Sequence, residues 1–315
     1  MSATFAESAE RYLCFRRNLG FAIAIEGEQL LRFARYADSS GHTGPLTIEL
    51  AVQWATQSMK GNHLNHARRL NIVRRFARFL HLTVPSTEIP PEGILGPSYR
   101  RMVPHIYIQE EIADLISASR NLTPRDGLRP NTYATLFGLL TCTGMRISEA
   151  LNLSVDHFDN KRNLIVIVEG KFHKTRLLPL HPSTTEMLRT YSELRYHKHS
   201  NPKTKHFFLT EWGTSLKYPK VLKTFHSIAA TLGWKTGGIG EGPRIHDLRH
   251  TLAVNSLLQW YRNGEDIDCR IPELSTYLGH CKVAHTYWYL TAVPELMAIA
   301  AARFEQHACM QAGEL

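Results

Sequence analysis

The sequence lacks the features that mark secreted, membrane-spanning and metal-binding proteins. Its five cysteines are scattered and odd in number, with no C-x-x-C spacing, which argues against a disulfide framework and a thiolate zinc site. No stretch approaches the ~18 consecutive apolar residues of a membrane span, and the N-terminus has no apolar signal-peptide core. The 17 histidines include no H-E-x-x-H motif, and His63 and His66 lack an obvious third ligand. These absences predict a cytoplasmic protein without a metal site.

Acidic residues are in the minority. The chain of 315 residues has 28 Asp and Glu against 37 Lys and Arg, which gives a formal net charge of +9. Such an excess favours a polyanionic partner through summed attraction and counterion release, although many basic proteins never contact nucleic acid. With 43% hydrophobic residues, the chain has enough apolar material for a sizeable core and enough length for two domains.

The N-terminal region, residues 1–84, shows the apolar spacing of three and four residues that is typical of amphipathic helices. No run in this region alternates between apolar and polar residues as a strand does. Turn-like segments separate the periodic stretches, so we expect a bundle of about four helices. The predicted helices are Ala6–Asn18, Glu26–Tyr36, Leu46–Met59 and Leu64–Leu80.

The fourth predicted helix separates apolar side chains from arginines. At ~100° per residue its apolar residues gather on one side, and four of its arginines gather on the other, with Arg69 as an exception. The apolar set is Leu70, Val73, Phe76, Ala77 and Leu80, and the basic set is Arg68, Arg74, Arg75 and Arg78. Taken alone, a solvated basic face and a phosphate-binding face are equally good interpretations. The second is favoured by the +5 net charge of residues 1–82, which have eleven basic and six acidic residues.

A change of pattern marks a domain boundary. Residues 85–104 contain five prolines and two glycines without periodicity, and we interpret them as a linker. From residue 105 to 315, helical stretches surround two predicted strands, Leu164–Val168 and Lys174–Leu180, which a turn near Gly170 joins. An amphipathic helix is predicted at the end of the chain, over Pro294–Gln306.

Four separated segments carry residues suited to phosphate chemistry. The first, TGMRISE, places Arg146 and Glu149 three residues apart, so that a carboxylate can fix a guanidinium fork for phosphate oxygens. The third, HDLRH, places His246 and Arg249 on one helical face, where a histidine can move a proton. The segments are Thr143–Glu149, Gly170–Arg176, His246–His250 and Leu278–Tyr289. Each has an ordinary structural interpretation, as an ion pair, a basic turn, a helix cap or aromatic packing.

The order of these motifs resembles that of the tyrosine recombinases, the phage integrase family. The motifs are T-G-x-R-I-S-E, G-K-x-x-K-x-R, H-D-L-R-H, L-G-H and T-x-x-Y. The resemblance covers roughly residues 105–305, and five motifs in the right order are together specific. It implies a mainly α fold with a small antiparallel β-sheet, in which a helical core-binding domain (1–84) precedes an α+β catalytic domain (105–315).

The resemblance also implies a role for each matching residue. Two arginines hold the scissile phosphate, with support from Glu149, and a hairpin lysine protonates the departing 5′ oxygen. Matching positions are Arg146 and Arg249 for the phosphate, Lys171 for the general acid, His246 for proton transfer, His280 for the phosphate or site packing, and Tyr289 for the nucleophile. Tyr289 follows His280 by nine residues, a spacing that Tyr287 does not fit.

Three features depart from the family pattern. Phe172 replaces the usual glycine after the hairpin lysine, which makes Lys174 a rival for the role of Lys171. The segment 259–272 lengthens the gap between the third and fourth motifs, and Trp288 is an uncommon neighbour of the nucleophile. Lys174 and Arg176 are also predicted DNA contacts, together with the four arginines of the fourth helix.

The function implied is site-specific DNA recombination through a 3′-phosphotyrosine, without a cofactor. We expect double-stranded DNA as the partner and a nucleoid-associated location. We also expect a homotetrameric synaptic complex, with contacts between subunits through helix 294–306 and with accessory recombinases as possible further partners. The alternatives are a type IB topoisomerase and a DNA-binding regulator that has lost catalysis. The sequence does not distinguish the roles of an integrase, a resolvase and a transposase. It favours a simple recombinase carried by a mobile element.

Overall fold

The chain folds into two compact units, Met1–Met102 and Val103–Leu315. The computed structural model describes residues 4–57, 62–100, 102–168, 175–235 and 242–291, together with 298, 301 and 305. Among the helices of these ranges, none combines the length and apolar composition needed to cross a bilayer. The mainly helical fold with one small antiparallel sheet confirms the predicted fold class.

The first unit contains four helices in its described residues, as the apolar periodicity predicts. A capping box at Thr4 begins the first helix, and the side chains of Thr47 and Asn62 cap the third and fourth. Their apolar faces meet in one core, where Phe33 packs edge-on against Trp54 at 5.3 Å between ring centroids. The helices are α1 (Phe5–Asn18), α2 (Ala24–Ser39), α3 (Ile48–Thr56) and α4 (His63–His81).

Helix α4 buries the predicted apolar face, and three of its four predicted basic residues, Arg68, Arg75 and Arg78, are exposed. The expected exposed position is wrong for Arg74, which is buried. Its Nε donates to Pro90 O at 2.7 Å and its Nη2 to Pro91 O at 2.6 Å, because the chain after α4 folds back over it.

The proline-rich segment after α4 belongs to the first unit as far as Met102. Its buried Thr87 and the bond from Glu88 N to Leu46 O, at 2.9 Å, attach it to the four-helix core. The assignment of residues 1–84, 85–104 and 105–315 to a DNA-binding domain, a linker and a catalytic domain stays a prediction.

The second unit surrounds a three-stranded antiparallel sheet with eight described helices. The strands β1 (Phe158–Asp159), β2 (Leu164–Ile167) and β3 (Arg176–Pro179) lie in the order β1-β2-β3, and Ile165 pairs with Leu178. Residues 169–174, where a turn is predicted, lie outside the described residues. The helices are α5 (Gln109–Arg120), α6 (Leu128–Thr143), α7 (Ile147–Leu151), α8 (Pro182–Lys198), α9 (Tyr218–Thr231), α10 (Asp247–Arg262), α11 (Ile267–Leu278) and α12 (Ala284–Thr291).

Helix α6 lies at the centre of the second unit and is buried on nearly every side. A second apolar cluster joins α10, α11 and α12, and it includes Leu257, Ile271, Leu278 and Tyr289. The segment 259–272, which lengthens the gap between the third and fourth motifs, forms the end of α10 and the first half of α11. This cluster packs the three helices against one another.

Candidate active site

The turn between α6 and α7 carries the first arginine. Gly144 ends α6 in the left-handed conformation, with φ of 58°. Arg146 then begins α7, and Glu149 in its first turn accepts a bond from the Arg146 backbone N–H at 2.8 Å. The same carboxylate accepts from Arg146 Nη1 at 2.8 Å, as the spacing of three residues predicts. Because Glu149 is buried, it holds this guanidinium at a fixed orientation.

The first turn of α10 carries the second arginine. Arg249 is only 3% exposed, and its Nη1 donates to Gly144 O at 2.7 Å. Its Nη2 donates to Leu278 O, also at 2.7 Å. The first bond spans 105 residues along the chain and the second spans 29. Arg249 thereby brings the first, third and fourth motifs to one place.

The turn after α11 contributes the third segment of the site. Gly279 ends α11 with φ of 68°, and its carbonyl accepts a bond from Arg146 Nη2 at 2.9 Å. A Cβ at this position would lie 2.8 Å from Arg176 Nη1, so the turn needs glycine for its space as well as its backbone conformation. His280 follows, and its Nδ1 lies 2.8 Å from Thr286 Oγ1 at the start of α12.

Helix α12 distinguishes the two candidate tyrosines. Tyr289 is 2% exposed and turned into the site, whereas Tyr287 is 43% exposed. The Tyr289 ring stacks on His280, with 6.1 Å between centroids, and meets His250 edge-on at 5.3 Å. Burial raises the pKa of the Tyr289 phenol, and the charge of Arg249 opposes this rise. The phenol is therefore protonated at neutral pH and lies near a guanidinium.

Two cations and neutral imidazoles set the electrostatics of the site. Burial lowers the pKa of Arg249 to about 10, which leaves it charged at neutral pH. Desolvation by the surrounding protein and then the charge of Arg249 lower the pKa of His246 to about 4, although this residue keeps an exposed edge. The same two causes lower the pKa of His280 to about 3. Both rings are therefore neutral at physiological pH and able to accept a proton or a hydrogen bond.

Comparison with known proteins gives the same family as the motifs. The model of the phage integrase family matches residues 108–295, which is more than half of the chain. A Sinorhizobium fredii protein named as an integrase/recombinase, y4rB, is 37% identical over 96% of this chain and 98% of its own length. The chain belongs to the phage integrase family.

A more distant relative by sequence and two solved structures of the same fold extend the comparison of this recombinase. Tyrosine recombinase XerD of Listeria monocytogenes is 28% identical, over 88% of this chain and 90% of its own. A Tn1549 transposon integrase in complex with transposon right end DNA has the same fold, with a TM-score of 0.65 at 13% identity over 97% and 100% of the two chains. The XerH recombinase bound to a difH substrate gives a TM-score of 0.63 at 16% identity, covering 89% and 79%.

Six of the predicted site residues of the recombinase lie together. They are Arg146, Glu149, His246, Arg249, His280 and Tyr289, and their bonds, ring contacts and mutual electrostatic effects connect them. Lys171 and its rival Lys174 lie outside the described residues, as does most of the predicted terminal helix 294–306. Within the described ranges, no three His, Cys, Asp or Glu side chains are grouped as metal ligands.

Sequence reasoning gave His250 no role, yet it lies at the centre of the site. Its ring is 4.8 Å from that of His246 and 5.3 Å from those of both Trp288 and Tyr289. Its Nδ1 is buried and has no hydrogen-bond partner among the described residues. The signal was available, because His246 and His250 are four residues apart and so share a helical face.

The histidines make a pH-dependent contribution to stability. Desolvation, followed by the charge of Arg249 on His246 and His280 and of His246 on His250, lowers their pKa values to about 4, 3 and 3. In the unfolded chain a histidine titrates near ~6.5, so the unfolded state binds more protons below that pH. We therefore expect the free energy of unfolding to decrease as the pH falls from about 6.5 to about 4.5.

Urea unfolding at a series of pH values measures this decrease, and His250→Gln should flatten it. Glu149 contributes to the pH dependence of stability over a lower pH range. Burial alone would raise its pKa, but hydrogen bonds from Arg176 and Arg146 lower it to about 2, so its contribution is lost only as the pH falls below 4.5. Equal free energies of unfolding at pH 7 and pH 5 would contradict the prediction.

Proposed function

We propose that this recombinase cuts and rejoins DNA strands through a 3′-phosphotyrosine formed on Tyr289. One observation carries the proposal: the phenol of Tyr289 and the guanidiniums of Arg146 and Arg249 come from separate chain segments and lie in one site. The phenol oxygen attacks the scissile phosphorus, and the bond from phosphorus to the 5′ oxygen breaks. The reverse attack by a 5′ hydroxyl joins the strands again.

The two arginines stabilise the charge that grows on the non-bridging oxygens. Each guanidinium has five N–H donors, and each uses one donor on either terminal nitrogen to bond the protein. Each guanidinium therefore keeps further donors for phosphate oxygens, while its bonds to the protein fix its orientation. Preorganised donors of this kind usually make the largest contribution to catalysis of charge-forming steps.

Two proton transfers accompany each attack. The phenol proton of Tyr289 goes to a base, and neutral His246 is the group that we assign to assist this transfer. The departing 5′ oxygen takes a proton from Lys171, the lysine at the family's general-acid position. Because the phosphotyrosine ester keeps the energy of the broken bond, the rejoining step needs no nucleoside triphosphate and no metal ion.

Double-stranded DNA is the partner that we assign to the basic face of α4. Arg68, Arg75 and Arg78 expose guanidiniums there, and Arg75 and Arg78 pair only across the surface, with Glu26 and Glu92 at 3.2 Å. Such exposed pairs are weak enough to yield to phosphate oxygens. A Tn1549 transposon integrase of the same fold is in complex with transposon right end DNA, which supports the assignment. We further propose a nucleoid-associated homotetramer that assembles on DNA, with the predicted helix 294–306 contacting the neighbouring subunit.

Trapping on nicked DNA tests the function. We expect the protein, mixed with nicked duplexes tiled across the DNA that flanks its gene, to form a covalent complex at one location. The attached strand should be joined through its 3′ end, the released strand should carry a 5′ hydroxyl, and a metal chelator should not lower the yield. DNA binding without any adduct would favour the silent regulator, and relaxation of supercoils without a defined site would favour the topoisomerase.

A further inference from the structure

Arg176 does not have the environment of a DNA contact. It lies at the start of β3, and its side chain is only 14% exposed. Its Nη1 and Nη2 donate to the two carboxylate oxygens of Glu149 at 3.0 and 2.9 Å, and its Nε donates to Tyr277 O at 3.1 Å. All three nitrogens therefore bond protein acceptors. A guanidinium held in this way cannot reach a phosphate without breaking contacts to the buried side of the site.

The carboxylate that Arg176 holds is the one that orients Arg146. Glu149 accepts two bonds from Arg146 and two from Arg176, which together fill the roughly four acceptor positions of a carboxylate. Glu149 is buried, so no solvent can replace a lost partner at low cost. Without Arg176, the carboxylate could rotate to improve its remaining bonds and turn Arg146 with it.

Arg176 also contacts the turn that supports both phosphate-binding arginines. The carbonyls of Tyr277, Leu278 and Gly279 each accept a bond from a different arginine, in the order Arg176, Arg249 and Arg146. These are consecutive carbonyls at the end of α11, where a helix presents unpaired oxygens and the negative end of its dipole. The close approach of Arg176 Nη1 to Gly279 fixes the position of this turn.

We propose that Arg176 is a positioning residue, which sets the direction of the Arg146 guanidinium through Glu149 and the Tyr277–Gly279 turn. It binds no DNA phosphate itself, in contrast to the role expected from its place in the hairpin motif. The proposal rests on the proposed function, because its effect is measured in DNA cleavage. The proposed role depends on geometry, because one planar guanidinium bonds both Glu149 and the turn after α11. Glu149 and the Gly279 carbonyl of that turn are the two groups that bond the Arg146 guanidinium.

Arg176→Lys separates geometry from charge. A lysine keeps the positive charge but cannot bond two carboxylate oxygens and a carbonyl in one plane. We expect DNA cleavage to fall about tenfold or more, since small displacements of catalytic groups have large effects. DNA affinity and its dependence on salt should stay within about twofold, because no phosphate contact is lost. Arg189→Lys is the matched control: Arg189 also binds a carboxylate through two nitrogens, but on the exposed surface of α8.

A double-mutant cycle decides whether Arg176 acts through Arg146. In an Arg146→Ala background, Arg176→Lys should lower cleavage by less than about threefold, because the group that it positions is gone. Equal losses in both backgrounds would overturn the proposal, and so would wild-type cleavage by Arg176→Lys. A fall in DNA affinity in proportion to cleavage would instead make Arg176 a DNA contact. Failure of the unchanged protein to form an adduct would overturn the proposed function, which is a separate result.

A second variant keeps the test decisive if Arg176→Lys does not fold. Gly279→Ala places a methyl group 2.8 Å from Arg176 Nη1 and so displaces the same guanidinium. Gly264→Ala is its control, because Gly264 has a similar φ, 75° against 68°, but open space around it. We expect Gly279→Ala to lower cleavage at least tenfold more than Gly264→Ala, and only while Arg146 is present. Equal cleavage by the two glycine variants would overturn the proposal.

Discussion

Tyr289→Phe should abolish the covalent protein–DNA complex and leave DNA binding within about twofold of the unchanged protein. Removing a covalent nucleophile lowers the rate of such enzymes by about 10⁴-fold or more, which is beyond detection in a trapping experiment. A phenylalanine keeps the ring that packs on His250 and His280. The free energy of unfolding should therefore change by only about 1 kcal/mol.

Tyr287→Phe is the matched control for this prediction. The two tyrosines lie on one helix, two residues apart, and the same single oxygen is removed from each. Tyr287 points about 200° away from Tyr289 and is exposed, so its variant should form the adduct at the normal rate. Gel analysis of trapped complexes, with binding measured on the same DNA, makes the comparison. Adduct formation by Tyr289→Phe, or loss of the adduct in Tyr287→Phe, would show that Tyr289 is not the nucleophile.

The buried position of Tyr289 bears on how the reaction begins. Its phenol packs between two neutral imidazoles and the apolar residues of α10 and α11. Burial raises its pKa, so in the proposed reaction the phenol loses its proton as it leaves this packing to attack. Arg249 opposes the rise, and we propose that its charge stabilises the developing phenolate. In this proposal the same guanidinium acts first on the nucleophile and then on the phosphate.

Local features of the fold could be predicted from the sequence because neighbouring residues determine them. The apolar positions of α4, such as Val73 and Phe76, are buried since their spacing matches one helical face. Residues 164–167 form a strand, as their β-branched composition predicts. The pair of Arg146 and Glu149 also follows from local spacing. Motif order, by resemblance, supplied the expectation that distant segments meet.

The fate of individual arginines could not be predicted in this way. Arg74 lies on the predicted basic face of α4, yet the carbonyls of Pro90 and Pro91 bury it. Arg176 belongs to a hairpin motif associated with DNA, yet it bonds Glu149 and Tyr277. In both cases the acceptors come from segments that fold against the arginine only in the tertiary structure. A helical wheel or a motif describes one segment and contains no information about such partners.

Arg249→Lys should lower DNA cleavage by about 10²- to 10³-fold, the usual effect of removing a preorganised donor from a charged transition state. Lysine keeps the charge of this position but has one nitrogen where the guanidinium uses two. It can therefore bond either Gly144 O or Leu278 O, but not both in the present geometry. The connection between the end of α6 and the end of α11 then loses one of its two hydrogen bonds.

The same substitution should also cost stability, which must be measured separately. One buried carbonyl without a donor costs about 1–3 kcal/mol, a loss that denaturant unfolding detects. Such a loss alone does not explain the cleavage defect if the variant is still folded at the assay temperature. Arg270→Lys on α11 is the control, because Arg270 is partly exposed and bonds the surface carboxylates of Glu265 and Glu273. Its cleavage rate should be unchanged.

DNA binding by folded Arg249→Lys distinguishes two explanations of the expected defect. Arg249 is 3% exposed, so it can meet a phosphate only at the inner end of the site, after the DNA has bound elsewhere. Affinity, which exposed phosphate contacts dominate, should therefore fall much less than the cleavage rate. A loss confined to the chemical step places Arg249 at the transition state. An equal loss of affinity and cleavage would instead make it an anchor for the bound duplex, and the reacting phosphorus would need another cation.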